Sequence, residues 1–217
     1  MTEQSKETKN SNDLAATQLD LMTKNRTVKK VSYQDLEGTD HEVEAALKDP
    51  GDFYLAQAID MVQSADDTSD YVGLYSLIMD KVLLSPRLTY RYENEQLKKA
   101  KADVRKHTIT ATDKNDNEIH LVVKVPTYER LVNLIFMSTR PSSATNITGL
   151  VTELANGVLY DMNDNKIDND FWEYGKPGNG FMMSVINETL SYLQNVANRD
   201  GFLSVMNAGI TFLTQKG

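Results

Sequence analysis

The sequence predicts an α+β protein, mainly α, in which helical hairpins accompany a short N-terminal strand and a central β-hairpin. Three observations carry this reading. Beyond residue 50, apolar residues recur mostly at three- and four-residue steps, the spacing of a helix that buries one face. One stretch, residues 108–125, instead alternates with period two around Asp113-Lys-Asn-Asp-Asn117. Proline and glycine punctuate the periodic segments at Asp49-Pro50-Gly51, Pro86, Arg140-Pro141 and Gly175 to Gly180.

Taken in order, the polar residues before about Asn12 lack periodic hydrophobics and cannot offset their ordering entropy. Leu14, Ala15, Leu19, Leu21 and Met22 then suit two or three helical turns capped by Ser11 or Asn12, a short apolar helix that needs something to pack on. Val28, Val31 and Tyr33 suggest a short strand ended by Glu37-Gly38. Two helices follow over residues 52–64 and 69–84, the first with Phe53, Leu55, Ala56, Ile59 and Met61/Val62, the second with Tyr71, Leu74, Tyr75, Ile78 and Val82. Ala65 to Thr68 separates them and Pro86 closes the second, so an antiparallel hairpin is expected.

Residues 94–106 read as a charged helix with little apolar face, a solvated connector and the expected hinge of the chain; a docking stripe for an acidic partner is the sharper alternative. After the alternating segment, Pro126 suits the first position of a helix running to about Thr139. A further helix is expected over residues 143–160, capped by Ser142 or Ser143, despite Gly149 and Gly157. Residues 181–198 and 202–213 complete a second helical pair. The expected organisation is therefore a mostly disordered tail (1–26), an N-terminal helical part with the connector (27–106), and the hairpin with a C-terminal helical part (107–217).

Composition narrows the function. With 40% hydrophobic and 25% charged residues, a packed core is expected. The chain has no cysteine, which removes disulfides, thiolate metal sites and thiol nucleophiles. A net charge of −8 and a pI near 4.9 argue against nucleic acid as a partner. No apolar run is long enough for a membrane span, and residues 1–30 show no signal or transit pattern, so a cytoplasmic location is expected.

No residue set points to catalysis or a cofactor. Asp161, Asn163, Asn165 and Asn169 resemble the oxygen comb of a calcium loop, but Lys166 stands where such a loop needs glycine and Trp172 where it needs glutamate. Asp113, Asn115 and Asn117 repeat the comb, with Lys124 at the last position. Of the three histidines, His107 and His120 flank the expected hairpin, where they would form a solvent-side cross-strand pair rather than a metal site. No metal is expected. The aromatic group Phe171, Trp172 and Tyr174 is the candidate partner contact, because tryptophan and tyrosine anchor interfaces; core packing is the competing and stronger expectation.

A helix followed by Lys81-Val-Leu-Leu-Ser-Pro86, with a helical C-terminus finishing in Phe212-Leu-Thr-Gln, resembles the tail assembly chaperones of long-tailed bacteriophages. That resemblance implies a non-enzymatic protein in the host cytoplasm that coats the long helical tape measure protein and keeps it soluble while tail tube subunits polymerise. Exposed apolar helix faces and homo-oligomerisation would suit such a role. Two alternatives stand beside it: a structural phage particle protein, such as a head–tail connector or baseplate component, and an enzyme with dispersed catalytic residues.

Overall fold

The structure, a computed structural model, describes residues 26–63, 69–113, 115–137, 146–174 and 180–215. The expected tail up to residue 25 with its short helix, the breaks at residues 65–68 and 140–141, the serines at 142 and 143 and most of the glycine-rich stretch (175–179) lie outside these residues.

Helices dominate, and two small antiparallel sheets accompany them. The first sheet joins β1 (Arg26–Gln34), β2 (Asp40–Lys48) and β3 (Leu83–Ser85) in the order β1-β2-β3. The expected short strand is thus nine residues long and paired throughout with a second strand, in a register that sets Val31 opposite Val43 and Arg26 opposite Lys48. Its alternation places Lys29, Val31 and Tyr33 on the half-buried side and Val28 outward, so Val28 and Val31 do not share a face. The composition of β2, rich in Ala and Glu, hides it from propensity reasoning. Tertiary packing overrides propensity there: β2 is the central strand, and Ala45, Ala46 and Leu47 are all buried beside a register shift against β3.

The second sheet joins β4 (Lys106–Thr112), β5 (Glu118–Lys124) and β6 (Leu159–Tyr160). In β4 and β5 the alternating residues Ile109, Ala111, Leu121 and Val123 are buried. Among the described residues, three turns share one construction. Asp35, Asp113 and Asp161 each open a five-residue loop in which one carboxylate oxygen accepts the backbone N–H groups two and four residues ahead, at 2.7 to 2.9 Å. Each also donates its own N–H to the carbonyl four residues on. The fourth residue of each loop, Gly38, Asp116 or Asp164, has positive φ, a conformation that Asp tolerates through local hydrogen bonding.

The helices are α1 (Asp52–Val62), α2 (Tyr71–Leu77), α3 (Tyr90–Lys99), α4 (Ala102–Arg105), α5 (Tyr128–Met137), α6 (Ile147–Ala155), α7 (Asn169–Tyr174), α8 (Phe181–Asn198) and α9 (Phe202–Thr214). Several expected boundaries shift. The helix expected over residues 69–84 is α2, capped by Asp70, followed by a π-turn at Ile78–Val82 and then β3. Within the segment expected over 143–160, α6 starts after its Asn146 cap and stops at Ala155, because Gly157 takes φ 92° and turns the chain into β6. Pro126 precedes α5 rather than opening it. The start of α5 is held instead by Asn94, whose Oδ1 accepts the Tyr128 N–H at 2.8 Å and whose amide donates to Glu129 at 2.9 Å.

Asn94 belongs to α3, and this changes the reading of the connector. Helix α3 begins at Tyr90, capped by Thr89, and buries Tyr90, Glu93 and Leu97 at three- and four-residue steps. Chain continuity at the expected hinge is braced further by Tyr192 of α8, whose hydroxyl donates to the carbonyl of Val104 at 2.7 Å. Buried residues on both sides of this segment share one hydrophobic cluster. Phe202, fully buried, is its aromatic centre, with ring centroids 5.9 Å from Tyr75, 6.1 Å from Tyr90 and 5.4 Å from Tyr128.

Helix α9 approaches the π-turn closely at Gly209. A Cβ there would come 2.6 Å from Cγ2 of buried Ile78, so the missing side chain is what allows the contact. Gly209→Ala is expected to lower unfolding free energy by about 1 kcal/mol, the overpacking cost exceeding the gain in helix propensity. Urea titration checks this; a variant as stable as the wild type would show that the π-turn yields freely.

Candidate protein-binding groove

Phe171 and Trp172 lie on α7 but do not form an exposed platform. Their rings meet edge to face at 5.1 Å and both lie near Phe181, itself buried at the start of α8. Both pack against the core while partly buried. The Trp172 indole N–H is shut away from solvent and has no hydrogen-bond partner among the described residues. The two rings thus take part in the packing around Phe181. The side chain of Tyr174 lies outside the described residues.

The histidines do not meet. His107 pairs across the ladder with Val123 and stacks on Tyr192 at 4.1 Å, whereas His120 pairs with Thr110, whose hydroxyl lies 3.0 Å from its Nδ1. His41 contacts the Asp35 carboxylate at 2.7 Å. The two carboxylate combs have a structural use, since Asp113 and Asp161 hold their own loops. Hydrogen bonds from Asn117 and Asn165, by side chain and backbone, hold these carboxyls below the usual aspartate range. Asp164 is engaged by Lys124 at 2.8 Å, and that lysine also lies 3.4 Å above the Tyr160 ring. Among the described residues, no group of three or more metal-ligating side chains is suitably placed for an ion.

A broad open cleft of about 950 Å³ lies between α3, α4 and α8. Within its lining Arg199 bonds Asp200 at 2.9 Å, and His107 is stacked on Tyr192.

The apolar surface lies elsewhere. Helix α1 presents Leu55, Ala58, Ile59 and Val62, a stripe at steps of three, one and three residues that points to one side of the helix. Facing it across a groove of about 290 Å³, the end of α9 presents Ile210, Leu213 and Thr214. Leu74 of α2 belongs to the same lining and is buried, as are Ala58 and Leu213. Ile59 remains 46% exposed, and Leu55, Val62 and Ile210 are half-buried. Polar atoms are nearly absent from the walls, with Gln63 and Thr214 at the ends. Two bonds fix the C-terminal end of α1, from the Asp70 N–H to the Met61 carbonyl at 2.8 Å and from the Ser69 hydroxyl to the Val62 carbonyl at 3.0 Å.

Comparison with family models, curated proteins and solved structures finds no match. The groove therefore stands on its own geometry. Its residues are present in the sequence as apolar helical stripes, but nothing local signals that α1 and α9, from opposite ends of the chain, line one surface. A weak pointer exists in α1 itself: an eleven-residue helix rich in apolar side chains fully buries only Ala58. No helix among the described residues is long and apolar enough to cross a membrane.

Proposed function

We propose that the protein is a non-enzymatic assembly factor that binds a partner protein by receiving an amphipathic helix in the α1–α9 groove. The observation that carries this is the groove itself, apolar along both walls and open beside half-exposed Ile59. A monomer gains nothing from leaving such a stripe uncovered, whereas a partner helix with apolar residues at three- and four-residue steps matches it. In its finer form the proposal is a tail assembly chaperone of a long-tailed phage acting on the tape measure protein. That form rests on the resemblance of the Lys81 to Pro86 segment, which spans the end of the π-turn, β3 and the proline after it.

Co-expression with the tape measure protein, scored by its soluble yield and co-purification, tests both levels. Wild type is expected to solubilise and retain it. Ile59→Glu, which buries a carboxylate against the partner but lies at the surface of the free chain, is expected to reduce recovery about tenfold or more. Equal recovery with Ile59→Glu would show that the groove is not the binding surface. Absence of binding together with the chain's presence in finished particles would assign it to the particle structure instead.

A further inference from the structure

We propose that the helix received by the α1–α9 groove is a basic amphipathic one, whose lysine or arginine side chains pair with Asp52 and Asp60 on the outer lip of α1. This rests on the reading of the groove as a helix-binding surface and adds the chemistry of its occupant.

The lip is built from two rows of side chains that cross at Ala56. Phe53, Ala56 and Ile59 follow one another at steps of three, and Asp52, Ala56 and Asp60 at steps of four, so the two rows share one face of the helix. All five residues are exposed, Phe53 most of all at 76%. Ile59 belongs to both lip and groove, so the apolar row carries the groove wall outward. Ala56 at the crossing lets a second helix approach closely. The two carboxylates stand about 12 Å apart along the axis of α1, about two turns of a helix laid beside them.

Among the described residues, neither carboxylate takes part in an ion pair. Asp52 suits the start of α1, whereas Asp60 stands in its last turn, where the helix dipole disfavours a carboxylate and no basic residue offsets it. Lys81 reaches α1 but is engaged by Asp80 at 2.7 Å and lies over the Tyr54 ring, which leaves from another side of the helix. Lys29 bonds Gln215, beyond the end of the α9 wall. The lip is therefore apolar along one row and acidic along the other. A helix that carries cations beside its apolar stripe complements both, and the chain's net charge of −8 favours its approach. A second copy of α1 does not, because antiparallel pairing about Ala56 would set Asp52 of each copy against Asp60 of the other. The same carboxylates turn away acidic amphipathic helices.

Two synthetic helical peptides test this on the full chain, with the same leucines at three- and four-residue steps and either lysines or glutamates flanking them. Fluorescence anisotropy is expected to show the lysine peptide binding about tenfold more tightly. That gap is expected to shrink to about twofold at high salt, and equally in Asp52→Asn/Asp60→Asn, whose exposed positions leave the fold intact. Equal affinity for the two peptides, both weakened by Ile59→Glu, would overturn the basic occupant while leaving the groove a helix-binding site. A gap that Asp52→Asn/Asp60→Asn leaves unchanged would overturn the assignment of charge recognition to the lip. Binding of neither peptide would remove the proposal and the groove reading together. A dimer in sedimentation that Phe53→Ser dissolves would assign the lip to a second copy and overturn the proposal.

Discussion

Phe202→Ala is expected to lower the unfolding free energy by about 3–5 kcal/mol, a large fraction of the total stability of an ordinary domain. The side chain is fully buried and its ring meets Tyr75 of α2, Tyr90 of α3 and Tyr128 of α5. Removing it opens a cavity ringed by bulky aromatics that belong to different elements, which leaves little scope for collapse. Because these partners come from both sides of the residues expected to act as a hinge, the loss should be felt by the whole fold. Trp172, the only tryptophan, reports on the C-terminal part through fluorescence, while circular dichroism reports on all helices. In urea, both signals are expected to shift together in one transition. Separate transitions would instead show that the N-terminal part unfolds as its own unit.

The second large effect is a pH dependence centred on Glu93. This residue is 1% exposed, one carboxylate oxygen has no hydrogen-bond partner among the described residues, and burial, followed by the nearby Asp200 charge and against the opposing Arg199, pushes its pKa up to about 7. Tyr128, packed nearby, is likewise held above the usual phenol range, by burial first and then by Glu93. With the folded pKa above the free value of 4.5, the native state binds the proton more tightly than the unfolded chain. The stabilising contribution is therefore complete below about pH 4.5 and is lost as pH rises through about 7. At 1.36 kcal/mol per unit, the loss is on the order of 3 kcal/mol. Glu93→Gln is expected to be more stable than wild type at about pH 8 by that order, with the two converging toward about pH 4.5. Urea titrations at both pH values decide it; parallel stability curves would show that Glu93 finds a compensating partner when ionised.

Glu93 also explains why α3 is hard to read from sequence. A charged residue at the centre of the buried face interrupts the apolar stripe between Tyr90 and Leu97, and the surrounding lysines suggest a solvated helix. Where a single face is buried by apolar side chains alone, the periodicity suffices: the expected helices over 181–198 and 202–213 fall on α8 and α9, and the alternation over 108–125 falls on β4 and β5. Strand β2 fails that test for a different reason. It is central, so its end is covered on both sides, and buried Ala45 and Ala46 satisfy a strand no better than a helix by type. Boundaries set by tertiary bonds are equally hidden, as with Asn94 capping α5 from another helix.

The candidate site divides in the same way. Leu55, Ile59, Val62, Ile210 and Leu213 are legible as apolar helical positions, but their convergence on one groove depends on β1 and β2 carrying the chain back along α9, a long-range arrangement without a local signature. Phe171 and Trp172 illustrate the converse. Aromatic residues beside a glycine-rich loop suggest a contact surface, whereas here the two rings meet each other edge to face and both lie tilted beside buried Phe181, packed against the core.

Whether the groove is the binding surface is decided by hydrogen exchange of the protein in the presence of the proposed partner, the tape measure protein, compared with the same protein alone. Protection gained at α1 and the final turn of α9 is the expected result. Protection confined to α7 or to the cleft between α3 and α8, with the groove unchanged, would contradict it.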